Sequence, residues 1–177
     1  MKKIALAALL ASGLMAASNE NYFGVSVGNA ELSGTVASTD FDTDGTQYTV
    51  ALGHYYGDTS RVSASYTYVK HDAGVDESDA FSVAYDFILP IADNKFSLYA
   101  GPVLGYTRYK ESAGALSVDL SGFHYGAQAG AIVRVVDNIE IEGGYRFLLE
   151  TGSDTVLGIN VDADDLKMWY IGANIRF

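Results

Sequence analysis

A seven-residue stretch, TDFDTDG, carries three candidate metal ligands at alternate positions. Asp40, Asp42 and Asp44 precede Gly45, which matches the opening of a calcium loop of the EF-hand type. Carboxylates at this spacing could surround a hard cation with oxygen ligands. The match fails at the twelfth position, where Ala51 stands in place of a bidentate Glu. No helical periodicity flanks the stretch, so we predict no EF-hand and interpret the aspartates as a solvent-exposed acidic segment.

The three histidines of the chain are the other residues that could support catalysis or bind zinc. Either chemistry needs them to converge with suitable partners, as in a Ser-His-carboxylate triad or a tetrahedral zinc site. Strand alternation places His54 on an apolar face, His71 at a long connection and His124 on a polar face. Because these positions are scattered, we predict no catalytic residue, no metal site and no cofactor, and we expect a protein that is not an enzyme.

Residues 1–18 have the pattern of a secretory signal peptide. Lys2 and Lys3 form a basic region, an apolar run continues to Met15, and small residues follow. The apolar run is too short to span a bilayer as a helix. We therefore predict a signal peptide over 1–18 and one domain over 19–177.

The composition narrows both the partners and the fold. Asp and Glu number 22 against 11 Lys and Arg, which gives a net charge of −11. A surface of that sign repels polyphosphate backbones, so we predict no nucleic-acid partner. The chain has 19 Gly, 13 Tyr, only 2 Pro and no Cys, a mixture typical of β-structure with many turns and no disulfides.

Alternation of apolar and polar residues predicts eight strands. They lie near 21–29, 46–56, 61–70, 79–90, 95–109, 120–135, 138–149 and 166–177. The connections after the second, fourth and sixth strands are tight turns. The other four connections, near 30–45, 71–78, 110–119 and 150–165, are long and acidic. This regular exchange of short and long connections is typical of an up-and-down antiparallel barrel with two unlike ends.

The two faces of the strands indicate which solvent the barrel meets. In the fourth strand, Phe81, Val83 and Tyr85 share one face, and Ala80 and Ser82 share the other. Glycines gather on the polar face of several strands: Gly24, Gly28, Gly53, Gly101, Gly105, Gly126, Gly130, Gly144 and Gly172. An eight-stranded barrel is only just wide enough inside for side chains. The glycine-rich face is therefore predicted to line the lumen, and the apolar face to meet lipid.

Aromatic residues gather at both rims of the predicted lipid-facing surface. The rim with short turns has Phe23, Tyr56, Phe87, Phe96 and Phe177. The opposite rim has Tyr48, Tyr68, Phe81, Tyr106, Phe123, Tyr145 and Trp169. Two aromatic girdles are typical of the two membrane–water boundaries. The fold class that we predict is therefore all-β, an eight-stranded antiparallel up-and-down transmembrane β-barrel.

The chain resembles the small eight-stranded outer-membrane barrels of Gram-negative bacteria, of the opacity-protein and outer-membrane protein A/X-like kind. The resemblance is carried by YAGPVLGY (99–106), YGAQAGAIV (125–133), GGYRF (143–147) and WYIGANIRF (169–177). It implies a monomer in the cell outer membrane, among outer-membrane lipids and lipopolysaccharide, with periplasmic termini and extracellular long loops. The terminal Phe177 is similar to the signal by which this family engages the barrel assembly machinery.

Several charged residues are predicted to point into the lumen. They are Asp86, Glu140, Glu142, Arg134, Arg146 and Arg176, with Arg61 near the short-turn mouth. Enclosed charges must be paired, so we favour a salt-bridged interior over a channel, and expect Glu142 to pair with Arg146 and Arg176. In the fifth strand, Pro102 removes a backbone donor, which predicts a bulge or a local shift of register.

The barrel architecture leaves three functional hypotheses open, because one fold serves many roles. The first is a structural or surface-interaction role, adhesin-like, in which acidic extracellular loops meet a host or surface ligand or share the divalent ions of lipopolysaccharide. The second is a narrow pore for ions or small solutes. The third is an enzyme that modifies lipid A, although no His-x-Ser motif on a strand supports it.

Overall fold

The computed structural model describes residues 20–36, 39–71, 77–91, 95–113, 116–151, 153–156 and 159–177. Its strands are β1 (Asn21–Val36), β2 (Thr39–Tyr56), β3 (Ser60–His71), β4 (Glu77–Ile91), β5 (Phe96–Ala113), β6 (Leu116–Val136), β7 (Ile139–Glu150), β8 (Ser153–Val156) and β9 (Ile159–Arg176). The predicted signal peptide, 1–18, lies outside the described residues. Among those residues no helix is long and apolar enough to cross a membrane.

Eight long strands close into an antiparallel barrel, as the sequence predicts. Each pairs with its neighbours in chain order, and β1 pairs with β9 to complete the circle. At the seam, the Phe177 N–H donates to the Asn21 carbonyl over 2.9 Å. The short strand β8 pairs only with β9 and forms a hairpin at the long-loop end.

The predicted orientation of the two faces is confirmed. On β4, Phe87 and Leu89 are 64% and 63% exposed, whereas Asp86 between Tyr85 and Phe87 is fully buried. Successive side chains of a strand point to opposite faces, so this pattern repeats around the barrel. The large apolar side chains form the outer surface, and polar and small side chains fill the lumen.

The lumen glycines make space for rings that cross the interior. A Cβ added at Gly53 would occupy the position of the Tyr22 ring, and one at Gly105 would collide with His124. At Gly144 the added atom would meet the Tyr99 hydroxyl. Each of these three glycines therefore faces a bulky side chain within a lumen too narrow for two large ones.

Several strands extend much farther than predicted at the long-loop end. The predicted loop near 30–45 instead belongs to β1 and β2, which pair from Asn21↔His54 as far as Val36↔Thr39. Asp40, Asp42 and Asp44 thus lie on a strand and not in a loop. Polar residues take the outward positions there, because this part of the wall lies beyond the aromatic girdle. The alternation of apolar and polar residues therefore ends at the girdle, although the pairing of the strands continues.

The predicted bulge at Pro102 is wrong. The β4–β5 register is identical on both sides of it, with Ala84↔Val103 above and Phe87↔Ala100 below, and only the two intervening pairs are absent from the ladder. Pro102 also keeps its place opposite Ala127 on β6. Proline removes one donor without adding a residue, so the ladder is interrupted while the register is kept.

Substituting Gly126 by Ala should destabilise the barrel, because the new Cβ would collide with the Phe147 backbone carbonyl. We expect the free energy of unfolding to fall by about 1–3 kcal/mol. Gly143→Ala is the matched control, since its Cβ would lie 3.7 Å from the nearest atom, the Tyr170 carbonyl oxygen. Urea titration in lipid vesicles, followed by the fluorescence of the single tryptophan, measures both. Equal stability of the two variants would contradict the collision.

Candidate functional site

The central feature of the lumen is a buried arginine on β3. Arg61 is 1% exposed. Its Nε donates to Asp86 Oδ2 over 2.8 Å, and its Nη1 donates to Glu142 Oε2 over 2.6 Å. Asp86 is the direct cross-strand partner on β4, whereas Glu142 reaches Arg61 across the lumen from β7. One cation therefore neutralises carboxylates from opposite walls.

Aromatic rings surround the same guanidinium. Its Cζ lies 4.6 Å from the ring centroid of Tyr99, 5.5 Å from that of Tyr22 and 6.0 Å from that of Tyr55. A cation at such distances is attracted by the electron-rich ring face. The tyrosines also fill the space that the lumen glycines leave open, so Arg61 is held by charge and by packing together.

A glutamine extends the network to a second arginine. Gln128 Nε2 donates to both Asp86 oxygens, over 2.8 and 3.0 Å. Its Oε1 accepts from Arg146 Nε and Nη2 over 3.0 and 2.7 Å. Asn174 adds a donor to Glu142 over 2.9 Å. Amide side chains can donate and accept at once, which lets Gln128 connect a carboxylate to a guanidinium.

The short-turn mouth has its own ion-pair cluster. Glu140, 1% exposed, accepts from Arg176 Nη1 over 3.2 Å and lies 3.4 Å from Arg134 Nη2. The Tyr55 hydroxyl donates to its other oxygen over 2.7 Å. The inward orientation of all the predicted lumen charges is thus confirmed.

The predicted partners within this set are wrong in one respect. Glu142 pairs with Arg61 and not with Arg146 or Arg176. Arg61 itself lies near the short-turn end as predicted, since it is the second residue of β3, and it is buried there. The prediction considered only adjacent strands. Barrel closure brings β3 opposite β7, a proximity that no local pattern shows. The roles of Gln128 and of the ring of tyrosines were missed for the same reason.

An apolar layer closes the lumen toward the long-loop end. Its buried members are Ala30, Leu32, Val69, Ala84, Val103, Tyr109, Leu148, Leu166 and Met168. At this end the lumen therefore holds apolar side chains beside buried polar ones such as Thr107, His124 and Glu150. Several of the apolar residues lie on the strand extensions, where an inward apolar side chain can pack against the opposite wall away from water.

Little free space remains inside. Two cavities in the lumen have volumes of about 20 and 40 Å³, the larger beside Arg61 and Glu142. A single water needs roughly 10–15 Å³ of such volume, so each cavity holds at most a few waters. Within the described residues the lumen is a packed interior and not a channel.

The histidines lie in three separate environments. His54 Nδ1 is 2.9 Å from Asn21 Oδ1, and His71 Nε2 is 3.0 Å from Ser78 Oγ. His124 points inward, as predicted, and is 1% exposed. In the part of the chain that the structure describes, no cluster of His, Cys, Asp and Glu could hold a metal ion.

His124 takes part in a buried chain of hydrogen bonds. The Thr107 hydroxyl donates to Glu150 over 3.0 Å, so its oxygen accepts from His124 Nδ1 over 2.7 Å. His124 Nε2 then accepts from the Ser82 hydroxyl over 3.0 Å. A Ser-His pair with a carboxylate beyond it has the groups of a nucleophilic site. Here Thr107 intervenes, and Ser82 is 1% exposed.

Above the girdle, the wall of β1, β2 and β9 carries an exposed acidic face. Asp40, Asp42 and Asp44 are all exposed on the outward side of β2. On β9, Lys167 Nζ lies 3.2 Å from Asp165 and 3.3 Å from Glu31. Hydrogen bonds to these two carboxylates raise the pKa of the Lys167 amino group.

Comparison with known proteins gives a family match over almost the whole chain. The model of the family described as the outer membrane protein beta-barrel domain matches residues 4–177. A search of curated protein sequences found no match.

Similar solved structures have diverse roles. Neisserial surface protein A is 17% identical with a TM-score of 0.68, over 90% of this chain and 98% of its own. Ail, the attachment invasion locus protein of Yersinia pestis, is 18% identical with a TM-score of 0.56, over 89% and 99%. The outer membrane enzyme PagL is 12% identical with a TM-score of 0.51, over 85% and 99%. At these identities the likeness shows the fold alone.

Removing the buried cation should destabilise the barrel strongly. Arg61→Met leaves Asp86 and Glu142 uncompensated in the lumen, so we expect a loss of about 3–5 kcal/mol in the free energy of unfolding. Adding Asp86→Asn and Glu142→Gln to Arg61→Met should recover much of this loss. Urea titration in vesicles measures the free energy of unfolding of the wild type, the single variant and the triple variant.

The control for this experiment is Arg134→Met at the mouth, where the Arg134 side chain is 28% exposed. Glu140 keeps Arg176 and Tyr55 as partners there, so the loss should be below about 1 kcal/mol. A comparable loss in both single variants would show that Arg61 has no special role.

Proposed function

The chain belongs to the outer membrane protein β-barrel domain family, and from this membership we propose that it acts as a sealed outer-membrane platform for surface interaction. In this proposal the termini are periplasmic, and the long hairpins extend outside the cell. The barrel neither conducts solutes nor catalyses a reaction. Its contact with the surroundings is made by the strand extensions beyond the girdle.

The observation that carries the proposal is the acidic outward face of the β2 extension. Asp40, Asp42 and Asp44 alternate along a strand, so their carboxylates point the same way, at intervals of about 6.6 Å. β2 is paired to β1 from Thr39 to His54, and β1 is paired to β9. The carboxylates are thus presented on a sheet that is continuous with the barrel, and little ordering entropy remains to be lost on binding.

The sign of the charge indicates the class of ligand. A row of carboxylates favours amines, other cationic groups or divalent ions shared with lipopolysaccharide phosphates. Ail has been solved in complex with the heparin analogue sucrose octasulfate, which is a polyanion. For this chain we propose the opposite preference, because a polyanion would meet like charge on this face.

The packing of the lumen supports the surface role over the two alternatives. The Arg61 network and the apolar layer leave cavities of only about 20 and 40 Å³, which argues against a pore. The pair that most resembles a nucleophilic site, Ser82 and His124, is buried to 1% exposure each. A lipid substrate in the surrounding membrane would have no access to it.

In planar bilayers, the refolded mature protein should give no discrete single-channel conductance, because ion pairs, tyrosines and an apolar layer fill the lumen within the described residues. The matched comparison is the triple variant Arg61→Ala, Tyr99→Ala and Glu142→Ala, which replaces three large lumen side chains by small ones. It tests whether a conducting path through the lumen then opens. Stable unitary conductance from the wild-type protein would refute the sealed-barrel proposal and favour the pore.

Neutralising the acidic face should reduce surface binding. Cells that express Asp40→Asn, Asp42→Asn and Asp44→Asn together should attach less to an amine-coated surface than cells with the wild-type protein. The control removes carboxylates from the opposite end, as Asp58→Asn with Asp137→Asn in the short turns, and should leave attachment unchanged. Surface expression is compared by labelling intact cells at an added tag in the β1–β2 hairpin. Equal attachment of both variants would contradict the proposal, and an unlabelled tag would contradict the orientation.

A further inference from the structure

One part of the lipid-facing wall is concave. A groove of about 790 Å³ runs across β1, β9, β7, β6 and β5. Its lining includes the small residues Ala129, Ala131 and Gly143 and the larger Leu98 and Ile171. The groove is shallow and wide open to its surroundings. The groove is continuous with the surface that the family membership places in the membrane.

The floor is low because small residues meet on adjacent strands. Ala131 is paired with Gly143 on one side and with Leu98 on the other, and Gly143 is paired with Ile171. The packing of the barrel does not require glycine at 143. A Cβ there would have no neighbour closer than 3.7 Å, whereas one at the adjacent Gly144 would collide with Tyr99.

The upper end of the groove carries polar groups without internal partners. Trp169 is paired with Asn29 on one side and with Tyr145 on the other, and the Trp169 and Tyr145 rings pack with centroids 4.5 Å apart. Asn29 is exposed, and Trp169 is 66% exposed. Neither the Asn29 amide nor the Trp169 indole N–H has a hydrogen-bond partner among the described residues. Both side chains lie at the level of the aromatic girdle, where the headgroup end of a lipid also lies, so a lipid carbonyl at this level can accept their hydrogen bonds.

We propose that this groove binds one acyl chain of an outer-leaflet lipid A molecule, with the ester or amide carbonyl of that chain accepting hydrogen bonds from Asn29 and Trp169. The apolar part of the groove matches the acyl chain. The polar groups at its upper end, on Asn29 and Trp169, match the ester or amide linkage of that chain. We assign the acyl chain to lipid A because the polar end of the groove faces the long-hairpin side of the barrel. This choice of leaflet rests on the proposed function, in which that side is extracellular.

Lipid retention tests the proposal directly. The protein is extracted from outer membranes in mild detergent, and native mass spectrometry counts the lipid A molecules that remain on each barrel. We expect one on the wild-type protein, and about tenfold less retention after Gly143→Leu, which fills the trough and displaces methylenes. Asn29→Leu should also reduce retention, because the carbonyl then loses a donor.

The control is Ala64→Leu, at a lipid-facing position on β3 that pairs with Leu52 and Val83 outside the groove. It should retain lipid A as the wild type does. Heat-dependent gel mobility verifies that each variant is folded, and Ala131→Leu replaces Gly143→Leu if the latter is not.

Three outcomes would overturn the proposal. Equal retention by the wild type and the filled variants would show that the groove binds no lipid. Retention of a phospholipid in place of lipid A would show that the bound chain does not come from lipid A. A dimer mass that disappears when the groove is filled would show that the groove binds a second copy of the protein. If intact cells label at the β1–β2 hairpin tag and lipid A is not retained, the groove proposal fails while the proposed orientation stands.

Discussion

Closing eight strands on themselves leaves a lumen little wider than the side chains that must fill it. Every inward residue is therefore matched to what stands opposite it. The Tyr22 and Tyr99 rings occupy space left by glycines. Arg61 cannot be solvated in such a space, so it takes Asp86 and Glu142 as partners from two walls. The narrowness of the lumen thus determines both the glycine positions and the charge network.

The filled lumen moves the functional surface to the outside of the barrel. In the proposed function, the ion pairs and the apolar layer inside the barrel leave no route for solutes, and the burial of Ser82 and His124 keeps substrates away from them. What remains available is the acidic face above the girdle and the lipid-facing wall below it. On that wall most outward side chains are large, so the depression at Gly143 stands out as a place where lipid can approach the backbone. Both surfaces depend on the rigidity that closure provides.

The two ends of the lumen are stabilised differently. At the short-turn end the interior consists of tyrosines and ion pairs, which must be satisfied together, because removing one partner leaves a buried charge. At the other end Leu32, Leu148 and Leu166 pack in a cluster that needs no partners. Unfolding is therefore expected to be sensitive to single polar substitutions at one end and to lost volume at the other.

The sequence by itself determined the eight strands of the barrel, their antiparallel order and the face that each residue occupies, because a period of two assigns sides without any tertiary information. It also identified the lumen charges and the aromatic girdles. It misplaced the ends of β1 and β2, since alternation beyond the membrane no longer contrasts apolar with polar residues. Only the tertiary structure decided that Arg61 meets Glu142, that Leu148 seals the lumen and that Gly143 lies at the base of a groove. Each of these depends on which strands closure places opposite or beside one another, and that proximity is set by the circumference and stagger of the barrel rather than by neighbours in the chain.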